Sequence, residues 1–441
     1  MTRKLKIDII GAGISGLSTA YYLNRLNRNL LIRVWEKESG PGGLAGNFRT
    51  ESFSVEKFYH HIFKRDKALQ NLIIELGLGN DLKWRRALTG TYYFKQPFRL
   101  SSPIDLLRFK PLPIFDRLRF GLMLLHARKV KNWKKLDDIS AKEYIIKYGS
   151  ENIYRIIWEP LFKGKFGRYA DDISAAWLWS KIIDRGGSRN KRGVEYLGYL
   201  KGGLGRVFTK LVEVLRADGH SVFFNNPITE IELEKDRHVV GIHTKTERIE
   251  NNLVVSCTQL PNLVDILPDS CKEYKNSLSK IKFLGNVCLV LILSKSLSEF
   301  YWTNVTDSET PFVGIVEHTN WADIEDFKNT HLIYISAYLP PEDNRIYMKS
   351  EELLDYYLPY VRKIFPNFDR SIVIESFKWY EPHAQPVVHK GYRNNIPEIQ
   401  SPIDNLLLCT MAQIYPHDRQ VSNGIDIAIR TVNIIREKFL N

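Results

Sequence analysis

The sequence predicts an α/β protein in two parts: a parallel-sheet domain opened by a βαβ unit, and an inserted α+β domain with a mainly antiparallel sheet. Three observations predict it. Residues 7–10 are a β-branched run that breaks into Gly11-x-Gly13-x-x-Gly16, followed by an amphipathic helix over about 14–25. A second apolar run, 30–35, ends at Glu36, twenty residues past Gly16. Between 278 and 397 the composition shifts to aromatic-rich runs such as V-C-L-V-L-I-L and L-I-Y-I-S-A-Y. Their alternation suits an antiparallel sheet with one face over a cavity.

The first two observations define a Rossmann-like unit, and each residue type has a physical reason. Gly11 makes the tight turn off the strand, Gly13 lets the backbone approach a pyrophosphate, and Gly16 lets helix pack closely on strand. The amides of Ile14, Ser15 and Gly16 open the helix, where unpaired N–H groups and the positive dipole end favour phosphate. Glu36 sits where an acidic side chain accepts hydrogen bonds from an adenosine ribose. A glycine triplet alone is a weak signal. Strand before, helix after and acid at this spacing make it a dinucleotide site, without separating NAD from FAD.

The run that begins at Glu36, E-K-E-S-G-P-G-G-L-A-G, separates them. It resembles the extended flavin fingerprint of the FAD-dependent amine oxidase, protoporphyrinogen oxidase and phytoene desaturase superfamily, to which UDP-galactopyranose mutase flavoproteins are related. The resemblance implies FAD as cofactor. It also implies a paired glycine on a loop beside the pyrophosphate and flavin ring; Gly42 and Gly43 match it, with Lys37, Leu44 and Ala45 beside them. The superfamily usually has arginine where Leu44 stands. The mutases also lack arginine there, which keeps a non-oxidative reading open. Glu56 and His60 match an acid and a histidine near the flavin, whereas Phe58 replaces the usual glycine. By the same resemblance Ile228 meets the adenine and Met411 lies at the final flavin segment, where Thr410-Met411 replaces glycine-aspartate. The implied layout is an FAD-binding domain in three pieces, 1–80, 198–275 and 398–441, with 81–197 and 276–397 forming the substrate domain.

Residues 53–58 read as a strand leading to Tyr59-His60-His61. An imidazole titrates near neutrality and can move protons or bind an anionic substrate, so His60 and His61 are the catalytic candidates. Structural histidines satisfied by backbone carbonyls are equally expected. Asp66 is expected to cap a helix that stops at Gly77-Leu78-Gly79. Residues 84–100 read as strand and turn, with a break at Pro97. From 114 to 135, Phe115, Leu118, Phe120, Leu122, Leu124 and Leu125 interleave with Arg117, Arg119, Arg128, Lys129, Lys131, Lys134 and Lys135, and Trp133 lies near the end. Such a helix suits an anionic bilayer surface or a lipid-tailed ligand. An ordinary domain helix with a basic solvated face accounts for it too, since Leu and Phe are also good core residues.

Ser140-Ala-Lys-Glu143 is a capping box. W-E-P-L-F-K-G-K-F-G, within 153–166, resembles the superfamily's entry into the substrate domain. Ser174 starts an apolar helix whose two tryptophans are expected in the core. Residues 185–193 read as a basic, glycine-rich loop that is mobile or binds anions. The paired glycine at 202–203 opens a helix over 207–216. Strands are expected at 221–224, 227–233, 239–244 and 252–257, then a helix over 351–364. The last strand, N-L-L-L-C-T-M, feeds a loop and a helix over 425–438.

Composition bounds the function. With 441 residues, 44% of them hydrophobic, the chain can bury the cores of two domains. A formal charge of +13 implies attraction to something anionic. No zinc-finger spacing, RNA-binding aromatic signature or basic tail points to nucleic acid. Cys257, Cys271, Cys288 and Cys409 are widely spaced and read as reduced thiols of a cytoplasmic protein. No room for a signal peptide precedes the first strand. No run approaches the roughly 18–20 apolar residues of a spanning helix. Metal clusters, a G-x-S-x-G elbow and a P-loop ending are not found in the sequence. The expected partners are a small-molecule substrate and an anionic membrane surface, the latter placing the protein peripherally on the inner face. The leading function is an FAD-dependent oxidoreductase that takes a hydride from a CH–CH or CH–NH group, on an isoprenoid-like or other apolar substrate. The alternative is a flavin-dependent mutase acting on a nucleotide sugar without net redox change. A flavoprotein scaffold without catalysis is the third class.

Overall fold

A computed structural model describes residues 4–26, 29–190, 194–235, 237–307 and 309–440. Its first layer is built from β1 (Leu5–Ile10), α1 (Ile14–Leu26), β2 (Leu30–Trp35), α2 (Gly205–Ala217), β3 (Ser221–Phe223), β4 (Leu253–Ser256), β5 (Leu406–Leu408) and α3 (Val421–Phe439). The five strands pair in parallel in the order β5-β4-β1-β2-β3. β1 is central, with Ile7 opposite both Ile32 and Leu253. Helices cover this sheet, so its strands are near-continuous apolar runs. α1 lies between α2 and α3 and is buried along Ile14–Tyr21. α2 turns Val207, Phe208, Leu211, Val212 and Leu215 inward at helical spacing. An antiparallel three-stranded sheet, Glu230–Glu234, His238–His243 and Arg248–Glu250, comes after β3.

The second large sheet has seven strands, in the order Val373–Pro386, Phe283–Leu293, His331–Leu339, Gly314–Glu317, Trp302–Val305, Thr89–Tyr93 and Gln96–Arg99. Period-2 alternation splits it cleanly. Val287, Leu289, Leu291, Ile333 and Ile335 pack beneath the helix Ser350–Ile364. Cys288, Val290 and Tyr334 on the opposite face pack against Phe48 and Val55. The helices Ile114–Lys129, Ala141–Tyr148, Glu159–Phe166 and Ala175–Gly187 pack together into a further layer.

Several expectations are corrected. The seven-stranded sheet is mainly antiparallel as expected, yet mixed, because Trp302–Val305 pairs in parallel with Thr89–Tyr93. Those two strands come from distant parts of the chain, so no hairpin dictates their direction. Pro97 lies within the edge strand Gln96–Arg99, where its missing N–H is tolerated. Asp66 stands at the start of Lys67–Glu75 but makes no capping bond; its Oδ2 accepts from the Phe63 amide at 2.7 Å. Only Ser54–Glu56 of 53–58 is strand, and Ile228 precedes its strand rather than lying in it. The helix expected over 114–135 stops at Lys129, and Trp133 opens a separate short turn, Trp133–Leu136. The loop expected over 185–193 begins as the end of the helix Ala175–Gly187, while 191–193 lie outside the described residues. The capping box at Ser140 and Glu143 forms as expected.

Candidate functional site

Two glycine loops meet where β1 gives way to α1. A Cβ on Gly16 would stand 1.9 Å from the Gly11 carbonyl oxygen, so only glycine lets α1 start this close to the turn. Gly42, at φ 112°, requires the left-handed region, and its amide donates to the Ala12 carbonyl at 2.8 Å. That bond pins the second loop, Gly42 through the short turn Gly43–Ala45, against the first. A Cβ on Gly13 would meet nothing within 4 Å, so the cradle between the loops has room beside its backbone. The first α1 bond runs from the Leu17 amide to the Gly13 carbonyl at 3.0 Å. Helix geometry therefore leaves the amides of Ile14, Ser15 and Gly16 without an intrahelical acceptor. An open backbone cradle with free donors fits the pyrophosphate of FAD.

Glu36 is buried at the tip of β2. Its Oε2 accepts from the Ala12 amide at 2.7 Å and its Oε1 from the Glu38 amide at 3.0 Å, which fixes the carboxylate and leaves each oxygen another lone pair. The Asn226 amide donates to the Glu36 carbonyl at 2.8 Å, bringing the segment that carries buried Ile228 alongside. Met411 joins from the C-terminal side. A Cβ on Gly424 in α3 would meet Ile14 at 2.6 Å, Ser15 Oγ at 3.2 Å and Met411 Sδ at 3.5 Å. Ala45 is buried and Leu44 half-buried, whereas Lys37 is exposed.

The histidine pair stands apart from the cradle, lining a cavity of about 70 Å³ with Glu56, Gly203, His318 and Phe327. His60 Nδ1–H donates to the Phe58 carbonyl at 2.7 Å; a carbonyl only accepts, so the proton is on Nδ1 and Nε2 is the free acceptor. His61 Nδ1 is 3.0 Å from the Tyr301 hydroxyl. The expected near-neutral titration is not what the site provides. Burial pushes His60 down to about 4 and His61 well below the usual range, helped at His61 by Arg185 and Lys181. Both rings are neutral at pH 7. Beside them Tyr59 packs edge-on against Trp302 at 5.0 Å and against Tyr334 at 6.2 Å, and burial pushes its phenol well above the ordinary value.

A second group of residues, around Asp418 and Arg419, was not singled out in the sequence and lies beside Met411, which was. Asp418, Arg419, Gln385 and Met411 line one narrow cleft. Asp418 Oδ2 accepts from Lys165 Nζ at 2.8 Å and Lys181 Nζ at 2.9 Å. Burial alone would raise this carboxyl, but Lys165, Lys181 and Arg419 hold it well below the carboxylate range. Arg419 donates to Gln385 Oε1 at 3.0 Å and to the Tyr338 hydroxyl at 3.1 Å. The only trace in the sequence is the polar run His417-Asp418-Arg419 behind an apolar strand, because its partners lie in distant segments.

A parallel sheet closed by two glycine loops and set against an aromatic sheet is the arrangement of an enzyme that carries flavin: the protein is an FAD-dependent oxidoreductase. The chain belongs to the flavin containing amine oxidoreductase family, whose profile matches residues 14–417. It is 23% identical over 444 aligned positions to 15-cis-phytoene desaturase of Synechococcus elongatus, covering 92% of this chain and 90% of that one. It is 24% identical over 284 positions to coproporphyrinogen III oxidase of Staphylococcus aureus, covering 57% of this chain and 60%, less than two thirds, of that relative. The structure of reduced UDP-galactopyranose mutase superposes with a TM-score of 0.75 at 15% identity, over 98% of this chain and 96% of that one. At that identity the likeness shows the fold alone. Among the described residues no helix is long and apolar enough to cross a membrane, and no group of three or more His, Cys, Asp or Glu could hold a metal ion.

Proposed function

We propose that the enzyme oxidises a CH–CH or CH–NH group of a largely apolar small molecule. On this reading residues 1–80, 198–275 and 398–441 are a Rossmann-like cofactor domain, and 81–197 and 276–397 the substrate domain. Bound FAD supplies the hydride acceptor. Gly11, Gly13, Ile14, Ser15 and Gly16 hold its pyrophosphate, Glu36 its ribose and Ile228 its adenine. Gly42, Gly43, Leu44, Ala45 and Met411 line the path to the flavin ring, with Lys37 at the rim. His60 Nε2 is the acceptor for the substrate proton, and His61 shares its surroundings. The observation that carries the reading is the aromatic wall of half-buried Tyr59 and Trp302 next to that histidine, backed by fully buried Tyr334. A sugar site would be lined by denser polar groups.

Anaerobic mixing of the oxidised protein with candidate substrates, monitored by the flavin spectrum, tests this. His60→Gln should slow single-turnover flavin reduction by about 10²-fold or more, at unchanged FAD content. The second reading, a mutase acting on a nucleotide sugar, is favoured by Leu44 in place of arginine. It needs reduced FAD throughout and no electron acceptor. Activity on a UDP-sugar that appears only after dithionite reduction would replace the first reading with the second.

The partner we infer outside the site is an anionic membrane surface. On the helix Ile114–Lys129, Phe115, Leu118, Leu122 and Leu125 are exposed, Phe115 by 77% and Leu122 by 63%. Ile104 and Leu107 of the neighbouring helix Pro103–Arg108 are exposed as well. Arg108, Lys110, Arg119, Lys129 and Lys131 are exposed around them. An apolar face rimmed by cations matches the boundary between acyl chains and acidic headgroups.

A further inference from the structure

We infer that Lys165, Lys181 and Arg419, gathered round Asp418, form the subsite for an anionic group of the substrate, a carboxylate or a phosphate. The inference rests on the flavoenzyme reading and names a class of substrate within it. Three cations converge here on one carboxylate. Both lysines share a single oxygen, Asp418 Oδ2. The hydrogen bonds of Arg419 among the described residues go to neutral partners, Gln385 and Tyr338. Asp184, on the same helix as Lys181, is paired with Arg65 and so does not balance the excess.

The surroundings make that excess costly. Lys165 Nζ lies 4.7 Å from the Trp177 ring centroid and 5.6 Å from that of Tyr338, against aromatic faces rather than in open water. Burial accordingly depresses the Lys165 ammonium. Cations held in such a place are stable when an anion completes them, and each lysine has donors left after its one bond to Asp418. Arginine adds a planar fork suited to carboxylate or phosphate oxygens.

Position ties the cluster to the reaction. Asp418, Arg419 and Gln385 line the cleft that Met411 also lines, and Tyr338 stands on the strand His331–Leu339 with Tyr334, which backs the aromatic wall. The same cations disfavour protonation of the histidines: Arg419 acts on His60, and Lys181 on His61. An anion seated among them cancels that field and makes both rings better proton acceptors. An apolar body lying on the aromatic wall with its charged end on Lys165, Lys181 and Arg419 satisfies both halves of the site.

The test titrates the FAD-loaded protein with inorganic phosphate in one arm and succinate in another, at constant ionic strength set with chloride. Calorimetry reads binding, and the flavin absorption spectrum reads whether binding occurs beside the cofactor. Saturable binding with a spectral shift is expected in at least one arm, and the arm that responds identifies the group. Lys181→Met should weaken it about tenfold or more. Asp418→Asn removes the competing carboxylate and should tighten it, a gain that a misfolded variant cannot imitate. Wild-type protein that binds neither anion, or binding that neither substitution changes, overturns the subsite. A protein that retains FAD but binds no anion loses only this inference; one purified without FAD in either redox state loses the flavin placement instead.

Discussion

Gly13 and His318 show how different the consequences of one side chain are in this molecule. At Gly13 a side chain would project into the open space beside the backbone, where the proposed pyrophosphate site lies. Gly13→Val should therefore purify with little or no FAD while melting cooperatively; full flavin content, read from absorbance against protein, would show the cradle to be elsewhere. His318 is buried to 3% exposure, its Nδ1 has no hydrogen-bond partner, and burial pushes its pKa down from 6.5 to about 3. The unfolded ring takes up a proton near 6.5 and the folded ring only near 3, so stability is full above about 6.5 and falls as the pH drops. At pH 5 that contribution is a loss of about 2 kcal/mol, from 1.36 kcal/mol per pH unit. His318→Phe should remove it, gaining that much on the wild type between pH 7.5 and 5 in denaturant melts. His60 acts in the same direction and Asp66, raised to about 7, in the opposite one, but both cancel in the comparison. The turn at Gly11–Gly16 and the placement of Glu36 at the end of β2 were legible because their geometry is local, within forty residues of one another. The protonation of His60 was not, since burial by segments such as that of Phe327 sets it. Lys165, Lys181, Tyr338 and Asp418 were not legible as a group at all, because only the tertiary fold brings them together.

Among the elements, Ile114–Lys129 departs most from an ordinary domain helix. Only Asp116, Phe120, Met123 and Ala127 are buried, and the Asp116 carboxylate accepts from Asn152 Nδ2 at 2.8 Å. A polar anchor thus faces inward while leucines face out, the reverse of what burial favours. The alternation of apolar and basic residues was legible, but which face met the core was not, because the packing partner at Asn152 lies beyond the helix. Vesicles containing acidic lipid should sediment the protein, and salt should release it as the Debye length shortens from about 10 Å at 0.1 M to 3 Å at 1 M. Phe115→Ser with Leu122→Ser should abolish binding without changing FAD content. Equal binding to neutral and acidic vesicles, or none to either, would leave the exposed face without this partner.

For the whole molecule, the proposed FAD site joins pieces that the chain itself keeps far apart. On the proposed placement, residues 11–16, 36, 42–45, 228 and 411 share one ligand, which then stabilises only the native arrangement. The FAD-loaded protein should unfold at a higher temperature than protein stripped of flavin, its stability raised by about 2.7 kcal/mol at free FAD one hundred times its Kd. A melting temperature indifferent to FAD would contradict a site shared among those pieces. The parallel sheet was legible in outline because each strand announces itself by an apolar run and a turn. The parallel junction in the other sheet was not, since nothing in Thr89–Tyr93 records that its neighbour will be Trp302–Val305.

That junction also sets an order in time. During synthesis Thr89–Tyr93 and Gln96–Arg99 emerge as a hairpin long before Phe283–Leu293 and the other strands of their sheet exist. The edge that will meet Trp302 waits unpaired for more than two hundred residues, an invitation to stray strand addition in any nascent chain. β5 and Met411 arrive later still, so the pocket proposed for flavin cannot close before they do. Refolding of the denatured enzyme should accordingly be slow and concentration-sensitive, as expected of contacts so distant in sequence. Light scattering that rises with protein concentration, and falls when FAD is supplied early, would record the wait directly.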